Sequence, residues 1–253
     1  MNDKITINKL SIQKNFNDNA KTYDSVASIQ KKCAKLLVDL LIKNFPDFIP
    51  LTIADLGAGT GYVTEYLLKF YPDSRYFLND FALAMLDITR DKFKNYSNIH
   101  YNSNDIETLN LDYQDLIISN FALQWTTNLE LIIQNLRLRS RILVFSTLLS
   151  GTFKEWSDLY QDFGLPRPIS DYPTQKELED YCLSLKPENY LFRCEDFSMT
   201  FDSPLAFASY LKMLGANTNI TGSENHYLRE IIKNHHLPIK TNYKIFFAIL
   251  EGR

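Results

Sequence analysis

Cysteine, histidine, glycine and long apolar runs are all scarce in this chain of 253 residues. The three cysteines lie far apart without a Cys-x-x-Cys pair, which excludes a disulfide framework and favours a reducing compartment. The four histidines follow no usual zinc spacing, so we expect no metal site. No segment approaches the roughly 20 apolar residues of a membrane helix, and the N-terminus has no signal-peptide core. We therefore expect a cytoplasmic protein without a membrane partner.

The composition is that of a globular protein with little net charge. Hydrophobic residues make up 45% and charged residues 23% of the chain, which excludes disorder as the main state. The net charge of -3 provides no bulk attraction to nucleic acid, so no nucleic-acid partner is expected. Aromatic residues reach 13%, so rings must form much of the core and of any pocket surface.

Short apolar runs alternate with helical patterns between residues 46 and 150. The apolar runs predict strands at 51–56, 75–79, 99–102, 115–120 and 141–147. The helical patterns between them lie at 62–70, 82–94 and 128–137. Strands that alternate with helices indicate βαβ units, whose strands are parallel and whose crossovers are right-handed. We therefore predict an α/β fold with a mainly parallel sheet.

The two flanks of this region have different patterns. Residues 1–20 are polar and predict a loose arm, and apolar residues at three- and four-residue steps predict a helix at about 22–43. After residue 150, helices are predicted at 152–163, 174–185, 203–214 and 223–235, and strands at 190–201 and 242–251. We therefore predict an arm and helix (1–45), a ligand-binding core (46–150), a helical insertion with a strand near 190–201 (151–240) and a final antiparallel strand (241–253).

The strongest local signal is a glycine-rich turn, Asp55-Leu56-Gly57-Ala58-Gly59-Thr60-Gly61, between a predicted strand and a predicted helix. Glycines there let the backbone turn sharply and approach a ligand, although the turn alone also fits a tight connection without one. Two later acids favour a ligand. Asp80 follows the second strand, where it suits ribose hydroxyls, and Asp105 follows the third, where it suits an adenine amino group. The G-x-G-x-G spacing differs from that of dinucleotide sites, and there is no P-loop triplet.

These residues resemble the first motifs of the class I S-adenosylmethionine-dependent methyltransferases. The resemblance covers roughly residues 50–150 and implies a Rossmann-like methyltransferase sheet with S-adenosyl-L-methionine as cofactor. It also implies that the first acid and the turn surround the methionine part, the second acid holds the ribose and the third contacts the adenine. In this sequence those residues are Asp55, Gly57, Gly59, Gly61, Asp80 and Asp105.

Further stretches resemble the malonyl-[acyl-carrier-protein] O-methyltransferase family of biotin synthesis. They are residues 16–24 with Ala27 and Gln30, residues 119–125, 145–147 and 151–155, and residues 211–217. The chain departs from that family in two places. Residues 137–141 replace a Pro-Gly-Gly turn, and Asn242-Tyr243-Lys244 replaces a Thr-Tyr-His segment, which removes any role for that histidine.

The resemblance implies methylation of the free carboxylate of a malonyl thioester, carried by acyl carrier protein or by CoA. That carboxylate is ionised at pH 7, so in-line transfer requires no general base. Candidate residues for the reacting end are Tyr23, Gln124, Trp125 and Lys212. Tyr23 and Trp125 also fit packing roles, and Lys212 also fits a solvated lysine. We expect the insertion to close the site as a lid, with apolar walls from Phe153, Trp156 and Met213.

Three alternatives remain open on the sequence alone. The basic run Arg137, Arg139 and Arg141 fits a docking patch for an acidic carrier protein, or a solvated loop. The methyltransferase fold also occurs in a protein-arginine hydroxylase that serves as an assembly factor, and in non-catalytic binding modules. The intact glycine turn and its acidic partners argue against a non-catalytic module.

Overall fold

A seven-stranded sheet forms the centre of the computed structural model, which describes residues 8–165, 168, 171–216 and 224–252. The strands are β1 (Thr52–Leu56), β2 (Arg75–Asn79), β3 (Ile99–Asn102), β4 (Gln114–Asn120), β5 (Ser140–Leu148), β6 (Tyr190–Phe201) and β7 (Ile239–Glu251). Their order is β3-β2-β1-β4-β5-β7-β6. β1 to β5 are parallel, whereas β7 runs antiparallel to both β5 and β6. The predicted fold class is confirmed: the sheet is mainly parallel, and the C-terminal strand β7 runs antiparallel to its two neighbours.

Helices pack against the sheet, and those after the first one overlap the segments predicted from the apolar periodicity. They are α1 (Lys9–Val26), α2 (Ser28–Asn44), α3 (Tyr62–Leu67), α4 (Leu83–Lys92), α5 (Leu129–Leu138), α6 (Lys154–Asp162), α7 (Gln175–Ser184), α8 (Pro204–Met213) and α9 (Glu224–Asn234). A short 3-10 turn spans Leu123–Trp125. None of the helices in the described ranges is both long and apolar enough to span a membrane.

The N-terminal segment differs from the sequence prediction. Where a loose arm was expected, α1 begins at Lys9, and the Asn8 side chain caps it by accepting the Ser11 N–H at 3.1 Å. Its inward face is a sparse stripe that includes the buried Ile12 and Ala20, so the many polar residues on its other faces concealed the helical period. The single helix predicted at 22–43 is in fact two helices, because the backbone leaves helical geometry at Ala27.

The central strands form two apolar layers, one on each face of the sheet. Ile118 and Val144 belong to the layer that α2 covers, and Ile117 and Leu143 belong to the opposite one. All four side chains are fully buried, and each such burial stabilises the fold by roughly 1.5–3 kcal/mol. The carboxyl ends of β1, β2, β3, β4 and β5 meet at one edge of this sheet, which is where open α/β sheets bind ligands.

Candidate functional site

A cleft with about 600 Å³ of empty space, part of it open to solvent, lies at the carboxyl edge of the parallel strands. Six residues that the sequence proposed for the site line it, namely Tyr23, Gly57, Gly59, Asp80, Asp105 and Trp125. The other lining residues are Lys9, Phe16, Asn79, Phe81, Met85, Ile106, Asn120, Phe121, Ala122 and Thr126. Four proposed residues are not among the described lining residues, namely Asp55, Gly61, Gln124 and Lys212.

The three glycines of the turn have different surroundings. All three have positive φ angles, but only Gly59 faces open space, since a Cβ built there meets no atom within 4 Å. A Cβ on Gly57 would overlap the Cβ of Ala122, and one on Gly61 would lie 2.6 Å from the ring of Phe93. Gly57 and Gly61 are therefore required for packing within the protein, whereas Gly59 leaves a concave space in which a ligand fits.

Asp80 holds the glycine turn and faces the cleft. One carboxylate oxygen accepts the Gly59 N–H at 2.9 Å, and the other accepts the Ala82 N–H at 2.8 Å. Burial raises the pKa of Asp80 to about 6, although these two backbone hydrogen bonds oppose the shift. Each oxygen keeps a further lone pair, so the carboxylate can accept two hydroxyls of a ligand.

Asp55 lies behind the turn and outside the cleft. It is fully buried at the end of β1, where the Thr64 hydroxyl donates to it at 2.6 Å. Burial raises its pKa to about 7, and the hydrogen bonds with Thr64 oppose the shift. Asp55 therefore ties β1 to the first turns of α3, and a direct contact with a methionine part stays a prediction.

Asp105 forms an ion pair with Lys9 at the start of the N-terminal helix. The Lys9 ammonium lies 3.1 Å from the carboxylate of Asp105 and 2.7 Å from that of Glu107. All three side chains are about a quarter exposed, so solvent weakens these ion pairs. The Asp105 carboxylate also accepts the Glu107 N–H at 3.0 Å. The third predicted acid is thus in the cleft, and its partner Lys9 lines the cleft beside it.

Helix α1 covers the cleft. Lys9, Phe16 and Tyr23 are seven residues apart and lie on one helix face, and the Phe16 ring packs edge-on against Trp125 at 5.7 Å. Side chains of α1 also bind the segment that leads into α4, since Gln13 donates to the Phe81 carbonyl at 2.7 Å. The described part of the insertion contributes no residue to the lining, so α1 occupies the place where the sequence predicted a lid. A closing role for the insertion stays a prediction.

Two predicted reacting residues point elsewhere. Gln124 donates to the Phe121 carbonyl at 2.9 Å, and its side-chain oxygen is buried without a partner in the described residues. Lys212 is exposed on α8 and has no contact with the cleft, whereas Tyr210 on the same helix is buried. These positions favour the solvated lysine over an orienting group.

Phe121 and Asn120 are site residues that the sequence reasoning did not select. Phe121 has a φ of 56°, a conformation that costs a non-glycine residue on the order of 1–3 kcal/mol. It is held there because its N–H donates to the Ser146 hydroxyl at 3.2 Å, while that hydroxyl donates to Asn120 at 2.8 Å. Both residues lie in the segment 119–125, so the resemblance of that segment to the family motif could have identified them as site residues.

The basic run Arg137, Arg139 and Arg141 lies near the amino end of β5, at the edge of the sheet opposite the cleft. β5 begins at Ser140 and spans nine residues, or about 30 Å, which separates these arginines from the cleft edge. Arg137 donates to the Glu251 carbonyl at 3.1 Å, and Arg141 lies over the Phe48 ring at 5.3 Å. Arg137 and Arg141 therefore contact segments beside the start of β5, and the docking patch stays a prediction.

We expect Arg137→Met to lower the melting temperature and Arg139→Met to leave it unchanged. A hydrogen bond from a charged group is worth about 1.5–3 kcal/mol, which corresponds to a loss of about 3–10 °C in a chain of this size. Arg139 is exposed and serves as the matched control. Thermal unfolding of both variants measures the difference. Equal melting temperatures would show that the Arg137 contacts do not stabilise the fold.

Comparison with known proteins places this geometry among methyltransferases. A family model described as a methyltransferase domain matches residues 53–139. The chain is 30% identical to the malonyl-[acyl-carrier protein] O-methyltransferase of Neorickettsia risticii over 97% of both chains. It is 40% identical to the protein of that name from Bacillus cereus, over 61% of this chain and 59% of the relative. The solved structure of magnesium protoporphyrin IX methyltransferase from Synechocystis PCC 6803 shares its fold, with a TM-score of 0.62, 12% identity and coverage of 97% of this chain and 100% of that one.

Proposed function

Because the chain belongs to the malonyl-[acyl-carrier protein] O-methyltransferase family, we propose that it methylates the free carboxylate of a malonyl thioester with S-adenosylmethionine. Its product is the malonyl methyl ester that primes pimeloyl and biotin synthesis. The single observation that carries the proposal is the cleft in which Gly59 leaves room for a ligand directly beside the buried Asp80 carboxylate.

The residues of the cleft fit S-adenosylmethionine. Asp80 has lone pairs for both ribose hydroxyls, and Asp105 lies farther along the same edge as an acceptor for the adenine amino group. The open space at Gly59 adjoins Asp80, whose carboxylate accepts the Gly59 N–H. When bound, the cofactor supplies a methyl group on a cationic sulfur, so the C–O bond forms as the C–S bond breaks and the electron pair stays on sulfur.

No proton has to move during this transfer, because the attacking carboxylate is already ionised at pH 7. The chain must therefore align the reactants and exclude water, and both tasks suit a cleft covered by aromatic side chains. Phe16 and Tyr23 of α1 and Trp125 of the 3-10 turn form its cover on one side. Phe121 contributes a further ring, at the carboxyl end of β4.

The two possible acceptors differ only in their carrier, since the reacting malonyl group is the same on acyl carrier protein and on CoA. We propose malonyl-acyl carrier protein as the acceptor, in line with the names of the relatives, and malonyl-CoA as a simpler substitute. The arginine hydroxylase and the non-catalytic module are not favoured, because the relatives are named as O-methyltransferases. The three cysteines are free thiols, which suits a cytoplasmic location.

We expect the purified protein to transfer labelled methyl from S-adenosylmethionine to malonyl-acyl carrier protein and to malonyl-CoA. The label should be released by mild base, because the product is an ester. Acetyl-CoA, which has no free carboxylate, is the matched control acceptor and should remain unlabelled. Equal labelling of acetyl-CoA, or no transfer to either malonyl thioester, would overturn the proposed function.

A further inference from the structure

Lys9 is a charged residue of the cleft that the proposed function leaves without a role. It is the first residue of α1, it lines the cleft, and about a quarter of its side chain is exposed. Its ammonium lies 3.1 Å from an oxygen of Asp105 and 2.7 Å from an oxygen of Glu107. Asp105 lines the cleft as well, so a cation and an anion lie side by side on the β3 side of the cleft.

The hydrogen bonds of this pair leave both a donor and an acceptor for a ligand. An ammonium has three hydrogens, and within the described residues Asp105 and Glu107 account for two of them. On the carboxylate of Asp105, the Glu107 N–H is accepted by Oδ1, and a carboxylate has about four acceptor positions. Its Oδ2, 3.1 Å from the ammonium, therefore keeps capacity for a further donor. Lys9 and Asp105 together offer one donor and one acceptor at neighbouring positions.

Helix α1 is held in place independently of this ion pair. Gln13 donates to the Phe81 carbonyl at 2.7 Å, and the Asn17 side chain accepts the Ala84 N–H at 2.9 Å. A partly exposed ion pair adds only about 0–1 kcal/mol to stability, so fastening α1 is a small part of what Lys9 contributes. The two amide side chains instead keep Lys9 at the cleft, where its remaining hydrogen can meet a ligand.

Adenine presents the complementary pair of groups. Its amino group donates a hydrogen bond, and the ring nitrogen on either side of that group, N1 or N7, accepts one. A neighbouring acceptor and donor on the protein therefore match either of these two edges. Guanine carries an oxygen where adenine has the amino group, and a carboxylate repels that oxygen. The pair of Lys9 and Asp105 thus favours adenine over the other purine.

We propose that Lys9 is a cofactor-binding residue that selects the adenine ring together with Asp105. The Lys9 ammonium donates to a ring nitrogen, while the Asp105 carboxylate accepts the adjacent amino group. Glu107 holds the ammonium from the other side, and its own carboxylate is fixed by the Thr127 N–H at 2.6 Å and the Thr127 hydroxyl at 2.7 Å. This inference rests on the cofactor of the proposed function, and it gives the helix that covers the cleft a part in recognising that cofactor.

Deletion of a ring nitrogen from the ligand tests this contact in the unaltered protein. The 1-deaza and 7-deaza analogues of S-adenosylhomocysteine carry a C–H group where adenine has N1 or N7, so they cannot accept the bond from Lys9. We expect at least one analogue to bind about ten- to a hundred-fold more weakly than S-adenosylhomocysteine, the value of one hydrogen bond to a charged group. Calorimetric titration measures all three affinities. Equal affinities for the parent and both analogues would overturn the inference.

Lys9→Met shows whether Lys9 is the donor. This variant should bind S-adenosylhomocysteine about ten- to a hundred-fold more weakly, and an analogue that is weaker in the wild type should now bind within about twofold of the parent. Lys14→Met is the matched control, because Lys14 is exposed on the same helix, pairs with Asp18 and lies outside the cleft lining. It should keep the wild-type affinities for all three ligands.

A purely structural Lys9 would give a different result. Its loss would weaken the parent and both analogues by the same factor, so the cost of deleting each nitrogen would stay as in the wild type, and the inference would be wrong. If Lys9→Met does not fold, the wild-type analogue series still decides. Failure of the proposed function would appear differently, as a protein that binds S-adenosylhomocysteine but transfers no methyl to a malonyl thioester.

Discussion

Gly59→Val is expected to abolish S-adenosylmethionine binding in a protein that still folds. The side chain would project into the cleft, where a Cβ at residue 59 meets no protein atom within 4 Å, so it would take the space of the ligand. The φ of 56° also disfavours a β-branched residue, at a cost on the order of 1–3 kcal/mol. Calorimetric titration with S-adenosylmethionine and thermal unfolding of the same sample measure the two effects.

Gly164→Val is the matched control for this substitution. Gly164 has a φ of 67°, and a Cβ there also meets no atom within 4 Å, but it follows α6 and lies outside the cleft lining. Both variants should lose a similar amount of stability, whereas only Gly59→Val should lose the ligand. A folded Gly59→Val protein with native affinity would show that the turn is a structural connection and not a binding surface.

Asp80→Asn is expected to weaken S-adenosylmethionine binding by about ten- to a hundred-fold at pH 7.5. A charge-assisted hydrogen bond is worth about 1.5–3 kcal/mol, and the amide provides one acceptor oxygen where the carboxylate provides two. Asp115→Asn is the matched control, because one oxygen of Asp115 accepts the backbone N–H groups of Leu51 and Thr52 at 2.7 and 3.0 Å, outside the cleft lining. It should lose stability but keep its affinity for the cofactor.

The pH dependence of cofactor binding tests the same carboxylate in the unaltered protein. Burial raises the pKa of Asp80 to about 6, so the ionised form that accepts two hydroxyls is lost as the pH falls below that value. Affinity should decrease about tenfold between pH 7 and pH 5, and Asp80→Asn should remove most of this change. A flat profile in the wild type would mean that the ionised carboxylate does not contact the ligand.

The stability of the ligand-free protein should decrease as the pH rises, whereas the affinity for the cofactor should increase. Burial raises the pKa values of Asp80 and Asp55 above those of the unfolded chain, to about 6 and about 7. The folded protein therefore binds more protons than the unfolded chain, and the stabilisation from these two groups is lost as the pH rises from about 4 to 7. Raising the pH thus costs stability in the free protein while it increases affinity for the cofactor.

Local features of the sequence determined the strands and the place of the cofactor cleft. β2, β3 and β6 have the predicted ends, because each is an apolar or alternating run between clear turn signals. The carboxyl ends of parallel strands meet at one edge, so the glycine turn, Asp80 and Asp105 could be expected together from chain order alone. These are properties of short segments and of their connections.

Only the tertiary structure decided which side chains face the cleft. Periodicity shows that a helix has an inward face, but it does not show which residues that face contacts. It therefore could not predict that α1 covers the cleft or that Lys212 points away from it. The same limit applies to the glycine turn, where Gly59 faces the ligand space while Gly61 packs against Phe93. The buried hydroxyls of Tyr210 on α8 and Tyr243 on β7 lie 3.1 Å apart, although the two residues are distant in the chain. Such contacts depend on how helices and strands pack across the sheet, so a local sequence pattern cannot predict them.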